Sequence, residues 1–278
     1  MHTICLKDNW TLTVLGKNVY DIPETPIETK VPSTVYGTLL EKGLIPDPFY
    51  RDNELDALKL MENDFAYETT IVISEEDRKA DRLFLHFDGI DTIADVYLNG
   101  EKIGSADNMN RVWEYDITDL VAGDADDTVY QVKVVLHSPT KFIAEEEAKC
   151  PVGAASDAMP GFPHIRKAAC MYGWDWGPRL PDAGLFREAS VLAVKTARLA
   201  QVFVGQEHHV TGKTVHGNVV DSDGRCRDRV DAGSYRRKRK NCHDGYFSGW
   251  KNRSDRRKRQ HRSADPFSTG KESDWSYV

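Results

Sequence analysis

The sequence lacks both a long apolar run and a cysteine framework. No uninterrupted apolar stretch approaches the roughly 18 residues of a membrane-spanning helix, so we expect no membrane contact. The first residues reach a charge at Lys7 before any apolar region forms, which predicts no secretory signal. The five cysteines are odd in number and widely separated, and they form no CxxC pair. Free thiols and a cytoplasmic location are therefore expected.

The last part of the chain lacks the residues that build a core. Segment 222–278 has no isoleucine, leucine or methionine, and its only valines are Val230 and Val278. It holds 16 basic and 8 acidic side chains, against 21 basic and 36 acidic in residues 1–221. Such a segment cannot bury enough apolar surface to offset its chain entropy, which predicts a basic disordered tail. A shift of reading frame near residues 210–225 is one hypothesis for this change.

Residues 1–195 have the composition of an all-β domain. Several short runs alternate apolar and polar residues, as half-buried strands do. Asn99-Gly100 predicts a tight hairpin, because both turn residues need a positive φ. Many short strands separated by turns favour a β-sandwich. The predicted strands are residues 10–14, 67–73, 83–87, 94–98, 129–136 and 189–195, and a further strand begins at residues 200–204.

A first helix is predicted near residue 34. Ser33 is a suitable cap for a helix over residues 34–42, and Gly43 is suited to end it.

A second helix is predicted over residues 140–149. It is rich in glutamate and places Glu145 four residues before Lys149, a spacing that favours an ion pair. Residues 151–164 are rich in proline, glycine and alanine and predict a long loop, which is usually functional or disordered.

The most informative motif is Gly173-Trp174-Asp175-Trp176-Gly177-Pro178. A carboxylate accepts two hydrogen bonds from neighbouring sugar hydroxyls, and aromatic rings pack on the C–H face of a sugar. Flanking glycines permit sharp turns and close approach of a ligand. The alternative is that both tryptophans are core residues and that the aspartate belongs to a turn.

This stretch resembles the Tyr/Phe-Gly-Trp-Asp-Trp-Gly-Pro-Arg signature of β-mannosidases of glycoside hydrolase family 2. Phe186 stands where the family usually has tryptophan. Other segments resemble the family in the same order, and together the matches extend over about residues 9–195. These segments are 31–35, 43–50, 87–100, 107–109 and 183–187.

The resemblance implies a galactose-binding-like jelly-roll sandwich over residues 1–195, which lies beside a (β/α)8 barrel in the family. It implies that Trp174, Asp175 and Trp176 contact the terminal sugar. The family hydrolyses terminal non-reducing β-D-mannose residues from β-mannosides with retention, and no metal or other cofactor is implied. Three flanking residues are expected to support the loop, namely Arg166, Tyr172 and Arg179.

The family's two catalytic glutamates lie on its barrel. A barrel needs about 250 residues, whereas 83 residues follow residue 195. The dipeptide Asn53-Glu54 is similar to an acid/base motif but precedes the central strands, so a surface loop is expected there. We therefore expect the chain to be inactive by itself. Residues 196–221 resemble the incomplete beginning of an immunoglobulin-like domain.

Two other classes of function remain open. Jelly-roll domains often bind sugars without hydrolysing them, so a free-standing carbohydrate-binding module is the main alternative. The basic clusters 236–240 and 256–259 are compatible with nucleic-acid binding, although a solvated charge run is the simpler interpretation. No acidic or thiol partner stands at ligand spacing from the nearby histidines, so no metal site is predicted at His208, His209 and His216.

Overall fold

The computed structural model describes residues 1–17, 19–123, 128–173 and 177–199, and the backbone of strands at 201–209, 212–220 and 226–231. The chain divides into two compact units, Met1–Thr196 and Ala197–Val278.

The first unit consists mainly of short strands. These strands are β1 (His2–Cys5), β2 (Trp10–Leu15), β3 (Ile27–Thr29), β4 (Ser33–Thr34), β5 (Asp64–Val72), β6 (Arg82–Phe87), β7 (Ala94–Leu98), β8 (Glu101–Ala106), β9 (Trp113–Asp116), β10 (Val129–Leu136), β11 (Gly184–Leu185) and β12 (Ala189–Val194). The helices are α1 (Val35–Glu41), α2 (Glu54–Leu60), α3 (Glu75–Arg78), α4 (Thr118–Val121) and α5 (Pro139–Lys149). Two 3₁₀ turns follow, at Phe162–His164 and Ala169–Met171.

Two antiparallel sheets form a sandwich. One has the strand order β1-β12-β6-β9 and the other β3-β2-β5-β10-β7-β8, while β4 and β11 form a separate short pair. The first strand of the unit lies beside its last, since His2 pairs with Ala193 and Cys5 with Ser190. Side chains from the facing sides of both sheets belong to one hydrophobic core, which confirms the predicted galactose-binding-like sandwich.

Alternation of side chains explains the core. In β10, Tyr130, Val132, Val134 and Leu136 are buried, while the residues between them are at least partly exposed. Every residue of β12 is buried, as expected of a strand that is covered on both faces.

The two sheets also meet at Gly104. A Cβ atom at Gly104 in β8 would lie 2.3 Å from the Tyr115 ring of β9, so only glycine permits this contact. The hydroxyl of Tyr115 donates to the carbonyl of Ser105 at 3.1 Å. Burial raises the pKa of Tyr115, which keeps this donor protonated.

The predicted strands of the first unit correspond to β2, β5, β6, β7, β10 and β12. The predicted hairpin is also confirmed, because Asn99 and Gly100 join β7 to β8 with φ values of 49° and 83°.

The first predicted helix needs one correction. Ser33 does not cap it, because Ser33 lies in β4 and pairs with Leu185 of β11. The cap is Thr34, whose side chain accepts a hydrogen bond from the Gly37 amide at 3.2 Å. Gly43 follows the helix with φ of 68°, as predicted.

The second predicted helix is α5, capped by Ser138 through a 3.1 Å hydrogen bond from the Lys141 amide. The expected ion pair with Glu145 is wrong, since Lys149 pairs with Glu146 at 2.7 Å instead. Both spacings put the two side chains on the same helix face, so the sequence pattern did not distinguish them.

The second unit contains strands β13 (Gln201–His209), β14 (Gly212–Val220) and β15 (Cys226–Asp231), which pair in that order and are antiparallel. The predicted strand at residues 200–204 corresponds to the start of β13. Strand β15 lies inside the segment expected to be disordered, and the rest of that segment is outside the described residues. The immunoglobulin-like start and the disordered tail stay predictions.

Three cysteines in the described part, Cys5, Cys150 and Cys170, are free and exposed. Within the part of the chain that the structure describes, no helix has the length and apolar character needed to cross a membrane.

Candidate functional site

The site predicted from the sequence is the loop of residues 173–178. Trp174, Asp175 and Trp176 lie outside the described residues, so the structure defines the ends of this loop. Tyr172 and Arg179 form an antiparallel bridge that closes it. Two of the three predicted supporting residues are thus brought together as the base of the loop.

Gly173 begins the loop in a conformation that favours glycine. Its φ is 93°, and an added Cβ atom would lie 2.9 Å from Cγ of Arg179 and 3.2 Å from the carbonyl oxygen of Asp157. Both the dihedral angle and the close approach exclude a larger residue without local rearrangement. The glycine predicted to permit a sharp turn at this end of the motif is confirmed.

Tyr172 anchors the first end of the loop in an apolar cluster. Its ring is fully buried and stacks on Phe162, with centroids 6.2 Å apart, in a small apolar cluster with Ile143 and Ile165. Its hydroxyl is buried and has no hydrogen-bond partner in the described part of the chain. Burial, and secondarily the charge of Asp91, raise the pKa of Tyr172, so the phenol stays neutral.

Arg179 anchors the other end through Glu54, a residue that the sequence did not single out as part of the site. Arg179 donates to Oε1 of Glu54 from Nη2 at 2.8 Å and from Nε at 3.3 Å. Its backbone amide donates to Oε2 at 3.3 Å. The surface loop expected at Asn53-Glu54 is wrong, because Asn53 precedes and Glu54 begins helix α2.

A buried ion pair lies close to the base of the loop. The ammonium group of Lys167 donates to Oδ2 of Asp91, and both side chains are almost completely buried. The hydroxyl of Thr92 donates to the other oxygen of Asp91. The Asp91 charge acts on Tyr172, as described above, so the pair is electrostatically linked to the loop base.

A second carboxylate, the partly buried Asp182, follows the loop. Its Oδ1 accepts hydrogen bonds from the backbone amides of Tyr36 at 3.0 Å and Ala183 at 2.8 Å. Burial raises the pKa of Asp182 to about 6, although these bonds, the Thr34 hydroxyl and the Lys167 charge act in the opposite direction. Asp182 thereby joins helix α1 to the segment that leaves the loop.

Arg166, the third predicted support, lies in the segment that leads to the loop. It forms a parallel bridge with Asn108, and its carbonyl accepts a hydrogen bond from the Met109 amide at 3.1 Å. Its side chain is exposed. The structure therefore joins Arg166 to a different neighbour from the pair that closes the loop.

Sequence segments that resemble the family pack against one another around this base. Strand β4 pairs with β11, and Gly184 exchanges two backbone hydrogen bonds with Asp91, at 2.9 and 3.0 Å. A Cβ atom at Gly89 would lie 2.7 Å from the Phe186 ring, so the phenylalanine that replaces the usual tryptophan is closely packed. The loop base is consequently built from parts of the sequence that are far apart.

The described residues fix both ends of the loop that carries the predicted binding residues. Among the described residues no three histidine, cysteine, aspartate or glutamate side chains are grouped as a metal site requires. An anchored loop that carries two tryptophans and a carboxylate has the residue types that recognise a sugar ring.

An antiparallel sandwich of this kind is the architecture of galactose-binding-like domains. The family model described as glycosyl hydrolase 2 galactose-binding domain-like matches residues 10–187, and the chain belongs to this family. The resemblance stated from the sequence is confirmed.

Individual relatives agree with this assignment. The chain is similar to the beta-mannosidase of Bos taurus, with 30% identity in an alignment of 205 residues that covers 71% of this chain. It is also similar to beta-mannosidase B of Aspergillus terreus, with 32% identity in an alignment of 188 residues that covers 65% of this chain. The crystal structure of the beta-D-mannosidase from Dictyoglomus thermophilum covers 79% of this chain with 30% identity and a TM-score of 0.69.

The match includes only part of each relative. It spans 22% of the Bos taurus and Aspergillus terreus proteins and 26% of the Dictyoglomus thermophilum chain. The chain therefore corresponds to the amino-terminal galactose-binding-like domain of a β-mannosidase-like protein.

Proposed function

We propose that this chain is the sugar-binding part of a β-mannosidase-type glycoside hydrolase, with Trp174, Asp175 and Trp176 contacting a terminal β-D-mannose residue. The observation that carries the proposal is the anchored loop base, where Tyr172 and Arg179 pair and Gly173 approaches Arg179 closely. A loop held at both ends loses little conformational entropy when a ligand binds.

The three loop residues have distinct roles in this proposal. The Asp175 carboxylate accepts hydrogen bonds from two sugar hydroxyls, while the indole rings of Trp174 and Trp176 cover the C–H face and exclude water. Burial raises the pKa of Tyr172, which keeps the phenol of this supporting residue uncharged.

Hydrolysis of a β-mannoside with retention needs two carboxylates about 5–5.5 Å apart. In this proposal both are supplied by a (β/α)8 barrel, and the sandwich contributes substrate contacts only. The 278-residue polypeptide is therefore expected to give no turnover of an aryl β-mannoside. Measurable release of the aryl group by the purified polypeptide would contradict this division of roles.

Calorimetric titration of the 278-residue polypeptide with methyl β-D-mannopyranoside tests the binding role. We expect saturable binding that Asp175→Asn weakens about tenfold, because the lost charge-assisted hydrogen bonds contribute about 1.5 kcal/mol. Asp8→Asn, at an aspartate exposed on the surface, is the matched control and should leave binding unchanged. Equal affinities for both variants and the parent chain would exclude Asp175 as a contact.

A carbohydrate-binding module without hydrolase activity is the second candidate. One observation favours it: residues 1–196 form a compact unit with its own hydrophobic core. Binding of a mannoside with no turnover, even when a β-mannosidase barrel domain is added in excess, would support the module over the hydrolase part.

A further inference from the structure

We infer that Glu54 is a positioning residue that holds Arg179, and through it the described base of the 173–178 loop, in place. This inference rests on the proposed function for what the loop binds, but the clamp itself is a property of the described residues. Glu54 lies 125 residues before Arg179 in the sequence and contacts both its guanidinium group and its backbone amide.

Glu54 is itself held in place by helix α2. It begins helix α2, and the side-chain amide of the preceding Asn53 donates to the Asp47 carbonyl at 2.8 Å. One turn further along, the buried Tyr36 hydroxyl donates to the Ala57 carbonyl at 2.6 Å. Ala57 and Leu60 of this helix are completely buried, so Glu54 extends from a packed helix rather than from a free loop.

Glu54 bonds to Arg179 at both its side chain and its main chain. One carboxylate oxygen accepts from two guanidinium nitrogens, and the other accepts from the backbone amide. The same Arg179 backbone pairs with Tyr172 and closes the loop, and its aliphatic side chain packs on Gly173. Glu54 therefore restrains the main chain and the side chain of one residue at once, which a single-contact ion pair does not do.

An ordinary surface ion pair in the same helix provides the comparison. Lys59 and Asp56 pair at 2.7 Å, with side chains 56% and 52% exposed, whereas Arg179 and Glu54 are 40% and 23% exposed. Asp56 also lies in the first turn of α2, so its charge interacts with the helix terminus as that of Glu54 does. Asp56→Asn removes an equal charge from the same turn without touching the loop.

The test compares Glu54→Gln with Asp56→Asn by hydrogen exchange of the amides in residues 173–179, using the 278-residue polypeptide. We expect exchange about tenfold faster in Glu54→Gln, because the lost charge-assisted bonds hold this segment closed. Asp56→Asn should exchange at the parent rate. Equal exchange in both variants would overturn the inference, and the urea midpoint of each variant shows that both remain folded.

Mannoside titration separates this inference from the proposed function. If Glu54 positions the loop, Glu54→Gln weakens methyl β-D-mannopyranoside binding about tenfold with the same urea midpoint as Asp56→Asn. Faster exchange in Glu54→Gln, together with no mannoside binding by the parent chain, would refute the proposed function and support the clamp. If Glu54→Gln changes neither the exchange nor the binding, the clamp is refuted and the proposed function stands.

Discussion

Lys167 and Asp91 form a completely buried ion pair beside the residues that close the 173–178 loop. The pair lies where the segments before and after the loop meet, because Asp91 also exchanges two backbone hydrogen bonds with Gly184. A buried charge is tolerated only when it is paired and hydrogen-bonded, so each partner depends on the other.

Replacing Lys167 with methionine should strongly destabilise the domain. The change leaves the Asp91 carboxylate buried without a counter-charge, which costs about 3–5 kcal/mol. Urea denaturation measures the loss. The double variant Lys167→Met/Asp91→Asn should recover part of the lost stability. A Lys167→Met variant as stable as the parent would show that the fold does not depend on the pair.

Asp182 should make stability depend on pH between about 4 and 6. Its pKa of about 6 in the folded chain exceeds the ordinary 3.8, so the folded state binds the proton more tightly than the unfolded state. Its contribution is therefore lost as pH rises through this window, by about 3 kcal/mol at 1.36 kcal/mol per unit. The stability of the parent relative to Asp182→Asn should fall by this order of magnitude between pH 4 and pH 7.

Asp95 provides the opposite control for that measurement. Burial acts to raise the pKa of Asp95, but hydrogen bonds from Lys102, Ser105 and His137 outweigh it and hold the pKa below its ordinary value. The stability of the parent relative to Asp95→Asn should therefore rise with pH up to the ordinary aspartate range. The same trend in both comparisons would contradict the assignment for Asp182.

Gly173→Ala should weaken the loop through strain and collision. The new Cβ atom meets Cγ of Arg179 at 2.9 Å, and the fold holds alanine at an unfavourable positive φ, which together cost about 2–3 kcal/mol. Gly43→Ala is the matched control, because Gly43 has φ of 68° with open space around it. Thermal unfolding should show the larger loss of stability for Gly173→Ala. Equal losses in the two variants would mean that the contact with Arg179 contributes nothing beyond the unfavourable φ.

Tyr172→Phe should leave stability unchanged or raise it by about 1 kcal/mol. The buried hydroxyl has no hydrogen-bond partner among the described residues, so its removal relieves an unsatisfied polar group. Tyr36→Phe is the control, because the Tyr36 hydroxyl donates to Ala57 at 2.6 Å and its loss should cost about 1 kcal/mol. Denaturant titration of both variants checks the sign, and a loss in Tyr172→Phe would reveal a partner for that hydroxyl.

Much of the sandwich was predictable because its strands carry a local signal. Alternation marked β10, and Asn99-Gly100 marked the hairpin that follows β7. Strands of two residues, such as β4, have no period to detect. Ser33 was therefore interpreted as a helix cap from its local sequence, whereas its pairing with Leu185 is a contact between distant residues.

The candidate site was predictable in its motif but not in its anchors. Residue types and the family resemblance singled out the loop and included Tyr172 and Arg179 as supports. Nothing local marks Glu54 as a partner of the loop, since Arg179 lies 125 residues away. The same holds for Lys167 and Asp91, which are 76 residues apart. Such pairs become visible only when the sheets bring separate segments together.

The pairing of β1 with β12 brings the two ends of the first unit together. The chain enters and leaves it through adjacent strands, with His2 opposite Ala193. A polypeptide arranged in this way can be joined to other domains, or circularly permuted by linking its neighbouring ends, without opening either sheet. Adjacent ends are the topological feature that fusion to another domain requires. The same feature allows the sandwich to be transferred between proteins as one piece.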